Sequence, residues 1–519
     1  MKKKCFKKTV SWALSIVMSA TMAGTPVLAD TFTDGSQSII SENAEIPEVD
    51  VESDTDCGDV ASTEENLTEP ALLQEEEFDN SEYVEFSGGN DAEAVSEFSD
   101  DSVPAAQIGE NTVVYLDPIL GDNAHKGENS TTAVSTLKRA LELAGSGGII
   151  CLLNPIDINE NLTLENVTLC PGKENLTYML KVSTDKTVIL RNVKTNNLTP
   201  ENSSCNFFEN PIQVYGTLTI EETIEDGTEI GPFPGKSCID AKSGSTVNLT
   251  DGTIQGNGQD KVEKGGGIYA DHAIVNMSGG TISGQVAEYG GGIYGYNATV
   301  NMSGGTISGQ VAEYGGGIYA NNAFVNMSGG TISGQVAKLG GGISVDFSTV
   351  TLTGGSIFNN KSGNGAGVYL TNQSKIIMKQ DTNGQSCQII NNTAETDRSQ
   401  YKYGEGGGIF LGNSEAEIES GTISGNCAIE ECNLNGSVQG GEGGGIYAWS
   451  STVTIKEGSG LLNNNAGYRG GAICIRGGSS NPSSLIVEGG NISGNTAKEG
   501  GSGIFACNDI TVNVSGGKI

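Results

Sequence analysis

The sequence predicts an all-β solenoid, a parallel β-helix with three strands in each coil of about 25 residues, and three observations carry that reading. The first is a strict period: Gly265-Gly266-Gly267-Ile268 recurs as Gly290 to Ile293, Gly315 to Ile318 and Gly340 to Ile343, with the variant Gly365-Ala366-Gly367-Val368 next, 25 residues apart each time. The second is that every copy holds short β-prone segments bounded by Gly, Ser, Asn or Asp, such as Ile268-Tyr269-Ala270, Ala273 to Met277 and Thr281-Ile282-Ser283, none long enough for a helix. The third is a set of constant apolar columns. Val275, Val300, Val325 and Val350 keep their kind, as do Met277, Met302, Met327 and Leu352, whereas Ile274 becomes Thr299, Phe324 and Thr349. Alternation along a strand puts the constant columns on one face, which must be the inner one. Ile268, Ile293, Ile318, Ile343 and Val368 form a further column, and Ile282, Ile307, Ile332 and Ile357 another. Glycine pairs such as Gly279-Gly280 turn the corners.

Composition agrees. Of 519 residues 76 are Gly, only 6% are aromatic, and the net charge is -35. That much glycine without a triplet period excludes collagen and an ordinary globular domain. A low-complexity linker would have no reason to keep apolar columns in register. The negative charge argues against nucleic acid as a partner. Two histidines, His125 and His272, leave little material for histidine-based metal or nucleophile chemistry.

Taken in order, residues 1–29 read as a secretory signal peptide. Lys2, Lys3, Lys4, Lys7 and Lys8 precede an apolar run from Val10 to about Ala23, and Val27-Leu28-Ala29 offers small residues for cleavage. No later segment has the roughly 20 apolar residues of a spanning helix, so no transmembrane segment is expected in the mature chain. Residues 30–106 carry 24 Asp and Glu and no Lys or Arg, the signature of a disordered acidic spacer. The β-helix is expected over 107–519. Thr136 caps a short helix with Leu137, Ala140, Leu141 and Ala144 on one face and Gly145 at its end, a lid for the otherwise open first coil. Coils up to 264 are irregular, those over 265–364 are regular, and later ones lengthen. The extra segments Ala394 to Glu405 and Ala428 to Glu442 both follow the third strand, so they should leave from one corner of successive coils. At the end, Val514 to Ile519 aligns with Met277 to Ile282, so the sequence stops within a coil, as a fragment of a longer protein would.

Residues 112–519 resemble the right-handed parallel β-helix proteins of the pectate-lyase-like superfamily. They are especially similar to large bacterial surface proteins whose coils read as Gly421-Thr422-Ile423-Ser424-Gly425-Asn426 followed by Gly443 to Tyr447 do here. Val114-Tyr115-Leu116-Asp117, Gly121-Asp122-Asn123 and Thr136 to Leu141 look like the opening segment of such proteins. Gly470-Gly471-Ala472-Ile473 is similar to the short repeat of polymorphic outer-membrane protein adhesins. The resemblance implies right-handed coils, and it covers the passenger portion of those adhesins, without their membrane barrel. It also implies two kinds of function to weigh.

Enzymes of this superfamily cleave acidic polysaccharides. Such a lyase needs clustered carboxylates to hold calcium and an Arg or Lys base. Glu263, Glu288 and Glu313 form the best acidic column, continued by Lys338, and carboxylates stacked about 5 Å apart could share a calcium ion; no other cofactor is suggested. No Arg stands nearby in the repeat. A hydrolase resembling polygalacturonases would need paired Asp, a His after Gly and Arg-x-Lys; Asp100-Asp101 falls in the spacer and the other two are missing. No catalytic residue is therefore assigned. For binding, Tyr269, Tyr294, Tyr319 and Tyr369 alternate with inward residues and should stand outward in a column, joined by Phe410, Tyr447 and Phe505. Stacked exposed rings suit the apolar faces of sugars, and equally stabilise one another. Trp449 with Arg398, Tyr401 and Tyr403 makes a second candidate patch. The cysteines match no zinc or redox spacing. At most one or two disulfides are expected, with Cys427 and Cys432 able to close a small loop and the rest acting as small buried hydrophobes. The sequence thus reads as a secreted or cell-surface protein, a non-enzymatic adhesin or structural passenger that binds a glycan or a surface protein. The alternative is a polysaccharide-active lyase or hydrolase on the same fold.

Overall fold

Parallel strands can close a solenoid only if each coil repeats the hydrogen-bonding register of the one beneath, and the repeat in this sequence does so residue for residue. The computed structural model describes residues 112–519 apart from 201–202, 225–226, 257–259, 398–401, 433–437 and 479–480. The signal peptide and acidic spacer lie outside the described residues. Among those described, strands stack in parallel into three long sheets, so the chain is a parallel β-helix.

One regular coil shows how the faces arise. Ile293–Tyr296 belongs to the first face, a sheet of 13 strands. Thr299–Met302 and Thr306–Ser308 lie together in the second, a sheet of 21 strands. Val311–Tyr314 belongs to the third, a sheet of 11 strands. The faces differ here from the sequence reading. The segments around Met302 and Ile307 form one face with a bend at Gly304-Gly305, and in the next coil they fuse into the single strand Phe324–Ser333. The third face comes instead from Val-Ala-Glu-Tyr, where only Ala287, Ala312 and Ala337 point inward. Small inward residues gave that segment no apolar column to see.

Register follows the repeat. Val275 pairs with Val300, and Val300 with Val325; Ile282 pairs with Ile307, and Ile307 with Ile332. All of these are 0% exposed, so the columns face the core as expected. Thirteen strands on the first face give a stack on the order of 60 Å long.

Corners use backbone geometry that few residues tolerate. Between the first and second faces residues in the left-handed region recur: His272, Asn297, Asn322, Phe347, Asn372 with Gln373, Asn413, Ser450 and Asn508. Asparagine predominates because its short polar side chain accepts that conformation. At the glycine corner, a Cβ on Gly292 would lie 2.7 Å from the Gly317 carbonyl oxygen and 2.8 Å from Ile307 Cγ2. In the regular coils the backbones therefore approach too closely at Gly292 for a side chain, whereas the later coil carries the methyl of Ala472 at the equivalent position.

A buried amide ladder, not foreseen from sequence, runs along the corner after the second face. Gln285, Gln310, Gln335, Asn360, Asn392, Asn426 and Asn464 are all at most 1% exposed. The backbone N–H of Gln335 donates to Asn360 Oδ1 at 3.0 Å, that of Asn360 to Asn392 Oδ1 at 3.1 Å, and that of Asn392 to Asn426 Oδ1 at 3.0 Å. Each side-chain amide also donates back to a strand carbonyl, as Asn426 Nδ2 does to Ile389 O at 2.9 Å. The turn's backbone groups are thereby paired inside a core that water does not reach.

The helix Leu137–Ala144 forms where expected. Thr136 Oγ1 accepts from the Arg139 N–H at 3.3 Å, Gly145 ends the helix at φ 65°, and Ala140 and Ala144 pack on the first coils with Leu137 and Leu141 beside them. Among the described residues no helix is long and apolar enough to cross a membrane. Segments after the third face do leave from one corner. Thr393–Asp397 pairs antiparallel with Lys402–Tyr403, and Cys427–Cys432 with Val438–Gly440, while the two outgoing strands pair with each other.

That arrangement overturns one cysteine expectation. Cys427 and Cys432 end a single extended strand, roughly 16 Å apart, beyond the reach of a disulfide. Cys151 and Cys170 are instead register partners on adjacent coils, with Sγ atoms 3.0 Å apart in a buried site.

Two outcomes follow. Ile307→Ala lowers the free energy of unfolding by about 2–5 kcal/mol, and Asn426→Leu by about 1–3 kcal/mol because it strands the Asn392 N–H and the Ile389 carbonyl; urea titrations of each variant measure both. Refolding with oxidised glutathione joins Cys151 to Cys170, read as one disulfide by peptide mass mapping and missing in Cys151→Ser.

Candidate functional site

Outward positions of the first face form a single column by register: Tyr269, Tyr294, Tyr319, Ser344, Tyr369, Phe410, Tyr447, Cys474 and Phe505. Ring stacking follows from strand spacing. Tyr294 and Tyr319 stack at 5.3 Å, Tyr369 and Phe410 at 4.7 Å, Phe410 and Tyr447 at 5.3 Å, and Tyr269 lies tilted 5.4 Å from Tyr294. The sequence reading of these rings as one outward column holds. Their exposure does not: Tyr294 is only 7% exposed and Tyr447 6%, while Tyr269, Tyr319 and Tyr369 are half-buried.

What covers them is a second ladder. Tyr289 and Tyr314, at the ends of third-face strands, stack at 5.0 Å and meet the first column edge-on, Tyr289 against Tyr319 at 5.1 Å and against Tyr294 at 6.3 Å. Sequence reasoning missed Tyr289 and Tyr314 because it missed their strand; the recurrence of Val-Ala-Glu-Tyr at 286–289 and 311–314, continued as Val-Ala-Lys-Leu at 336–339, was the signal. Burial pushes the phenols of Tyr269, Tyr289, Tyr294, Tyr319 and Tyr369 up, to about 12 at Tyr369, where Tyr314 nearby adds to the effect. They stay neutral at physiological pH and offer O–H groups and ring faces.

Twice the column lacks a ring, and the two gaps differ. At Cys474 the space is filled. Arg476 donates through Nε to Glu442 at 2.8 Å and makes a second contact through its terminal nitrogen, Cys474 lies 3.6 Å from the same carboxylate, and Arg469 sits over the Phe505 ring at 4.8 Å. Glu442 and Cys474 are 5% and 0% exposed. Glu405 stands one coil below Glu442 in the same corner column. Burial, and then the neighbouring Glu442 charge, push its carboxyl up to about 7, against the opposing pull of Arg476 and a hydrogen bond from Tyr447. A carboxyl of this kind can hold a proton near neutrality, beside the Glu442–Arg476 ion pair.

At Ser344 the gap is not plugged. Tyr319 on one side and Tyr369 on the other wall a groove of about 400 Å³, with Ser344 at its floor, Leu339 beside it, and Asp346, Thr371 and Asn372 at its rim. Asp346 accepts from Asn321 Nδ2 and Thr371 Oγ1 at 3.3 Å each and from Asn372 Nδ2 at 2.5 Å.

The remaining candidates sit apart. Trp449 is 49% exposed, at the far end of its strand, roughly 10 Å from the glycine corner where Tyr403 emerges. Its proposed neighbours Arg398 and Tyr401 lie outside the described residues. Glu263, Glu288 and Glu313 do form a column with Lys338, but lysines occupy it. Lys261 reaches Glu288 at 3.6 Å and also contacts Glu313, which Lys338 approaches at 2.9 Å. These two lysines hold the Glu313 carboxyl below the usual range. No group of three His, Cys, Asp or Glu placed to hold a metal occurs among the described residues.

No protein-family model, no curated protein and no solved structure matches this chain.

The Glu405 site predicts a pH dependence. Its folded pKa of about 7 exceeds the ordinary 4.5, so between those values the folded chain keeps a proton that the unfolded chain releases. Stability contributed at this site is therefore full below pH 4.5 and is lost as pH rises through 7. Glu405→Gln flattens that slope, seen as a melting temperature higher than the parent's at pH 8 and equal to it at pH 4.

Proposed function

We propose that this chain is an exported, non-enzymatic surface rod that binds carbohydrate along its tyrosine edge, an adhesive or structural passenger. The observation that carries this reading is the pair of interlocked tyrosine ladders. They line one edge of a rigid stack, keep Tyr269, Tyr319 and Tyr369 partly open to solvent, and leave a groove between two ring faces. Sugars present an apolar ring face and a hydroxyl rim, the complement of such an edge. Export rests on the leader-like residues 1–29, and the coils' likeness to pectate-lyase-like surface proteins and adhesins points the same way. The lyase or hydrolase reading fits less well. Glu313 is held by two lysines and Glu442 is locked to Arg476, so these two carboxylates are engaged in ion pairs.

Applied to a glycan array, the full chain retains at least one glycan class, and the triple variant Tyr269→Ala, Tyr319→Ala, Tyr369→Ala loses it. Incubated with acidic polysaccharides, the protein releases no unsaturated or reducing products; steady product formation would replace this reading with the enzymatic one.

A further inference from the structure

We infer that the groove at the missing ring, Ser344, is a binding site for a single pyranose unit, seated against the rings of Tyr319 and Tyr369. This rests on the carbohydrate-binding reading above and gives it a place.

The argument begins with spacing. Ser344 pairs in register with Tyr319 on one side and Tyr369 on the other, so those two rings stand two strand spacings apart, roughly 9–10 Å. Each has its opposite face occupied, Tyr319 by Tyr294 and Tyr369 by Phe410. Tyr289, Tyr314 and Leu339 line the groove beside them, so a six-membered ring seated there meets several aromatic walls at once. Ser344 itself is 2% exposed, so a ligand rests above the serine, against the ring faces.

Position alone would admit any flat apolar group; the rim chooses among them. Two residues along the same strand, Asp346 gathers donors from Asn321, Thr371 and Asn372, and Asn321 also hydrogen-bonds Tyr319. Carboxylate, amides, hydroxyl and phenol thus converge on one side of two ring faces. Such a set both donates to and accepts from a ligand carrying several hydroxyls. An aromatic side chain from a protein partner would cover the rings and add no hydrogen bond to that rim. The gap at Cys474 provides the internal comparison: there Glu442 and Arg476 fill the space and leave nothing to bind.

The test restores the ring. Ser344→Tyr places at this position the residue found in the coils before and after it, so the fold keeps its stacking while the slot closes. On the glycan array, the parent chain binds and Ser344→Tyr loses at least tenfold in affinity with its melting temperature unchanged or raised. Tyr369→Leu, which keeps apolar packing on Phe410 without a ring face, also loses at least tenfold. Methyl glycopyranosides of gluco, galacto and manno configuration, titrated against tyrosine fluorescence, perturb the parent and leave Ser344→Tyr unchanged. Should the parent bind glycans and both variants bind equally well, the slot is wrong and the carbohydrate reading survives. If the parent binds no glycan, that reading fails and the slot fails with it. Capture by a protein that the methyl glycosides do not displace overturns the pyranose assignment.

Discussion

Everything in this molecule depends on the in-register stacking of one coil on the next. Parallel pairing at a fixed spacing puts identical residues above one another, and each column then acts as a continuous structure. Aliphatic columns make the core, amide columns satisfy its corners, and aromatic columns run down one edge. A side chain in such an array is judged against its two vertical neighbours more than against its sequence neighbours. That is why valine and isoleucine columns stay constant while the outward positions between them drift.

Stacking also explains how so narrow a core is sealed. Three faces meeting at sharp corners would leave backbone groups stranded inside, and a buried unpaired N–H costs as much as a lost hydrogen bond. The ladder from Gln285 to Asn464 meets that need with one amide per coil: each donates to a strand carbonyl, and those from Gln335 onward also accept the backbone N–H of the turn below. Farther along the coil, asparagine does a different task by accepting left-handed backbone at the corner before the second face. One residue type thus appears at two corners for two separate reasons.

Residues whose physical demands repeat were legible in the sequence; those whose role lies in the third dimension were not. The apolar columns and glycine corners gave the β-helix, and the cap helix was visible from Thr136 and Gly145. Val311 to Tyr314 escaped notice because alanine is its only inward residue, and with it went the tyrosines that bury Tyr294. The amides of Gln310 and Asn426 drew no assignment, since nothing in a single coil shows that their partners lie one coil away. Glu405, Glu442 and Arg476 come from separate, irregular coils and share no spacing, so no pattern joined them. At Ser344 the departure from tyrosine was in plain view, yet it gained meaning only once a groove lined by Tyr319 and Tyr369 was seen beside it.

Three nearly identical copies between Gly265 and Gly340 have a consequence of their own. Because each contributes one rise and the same set of upward and downward contacts, removing or duplicating 25 residues there would shift the upper part of the rod along its axis without asking any residue to find a new kind of neighbour. Length is therefore a property this gene product can change by unequal recombination alone. The irregular coils above and below fix which copy stacks on which, so a rod of altered reach would still assemble in a single register.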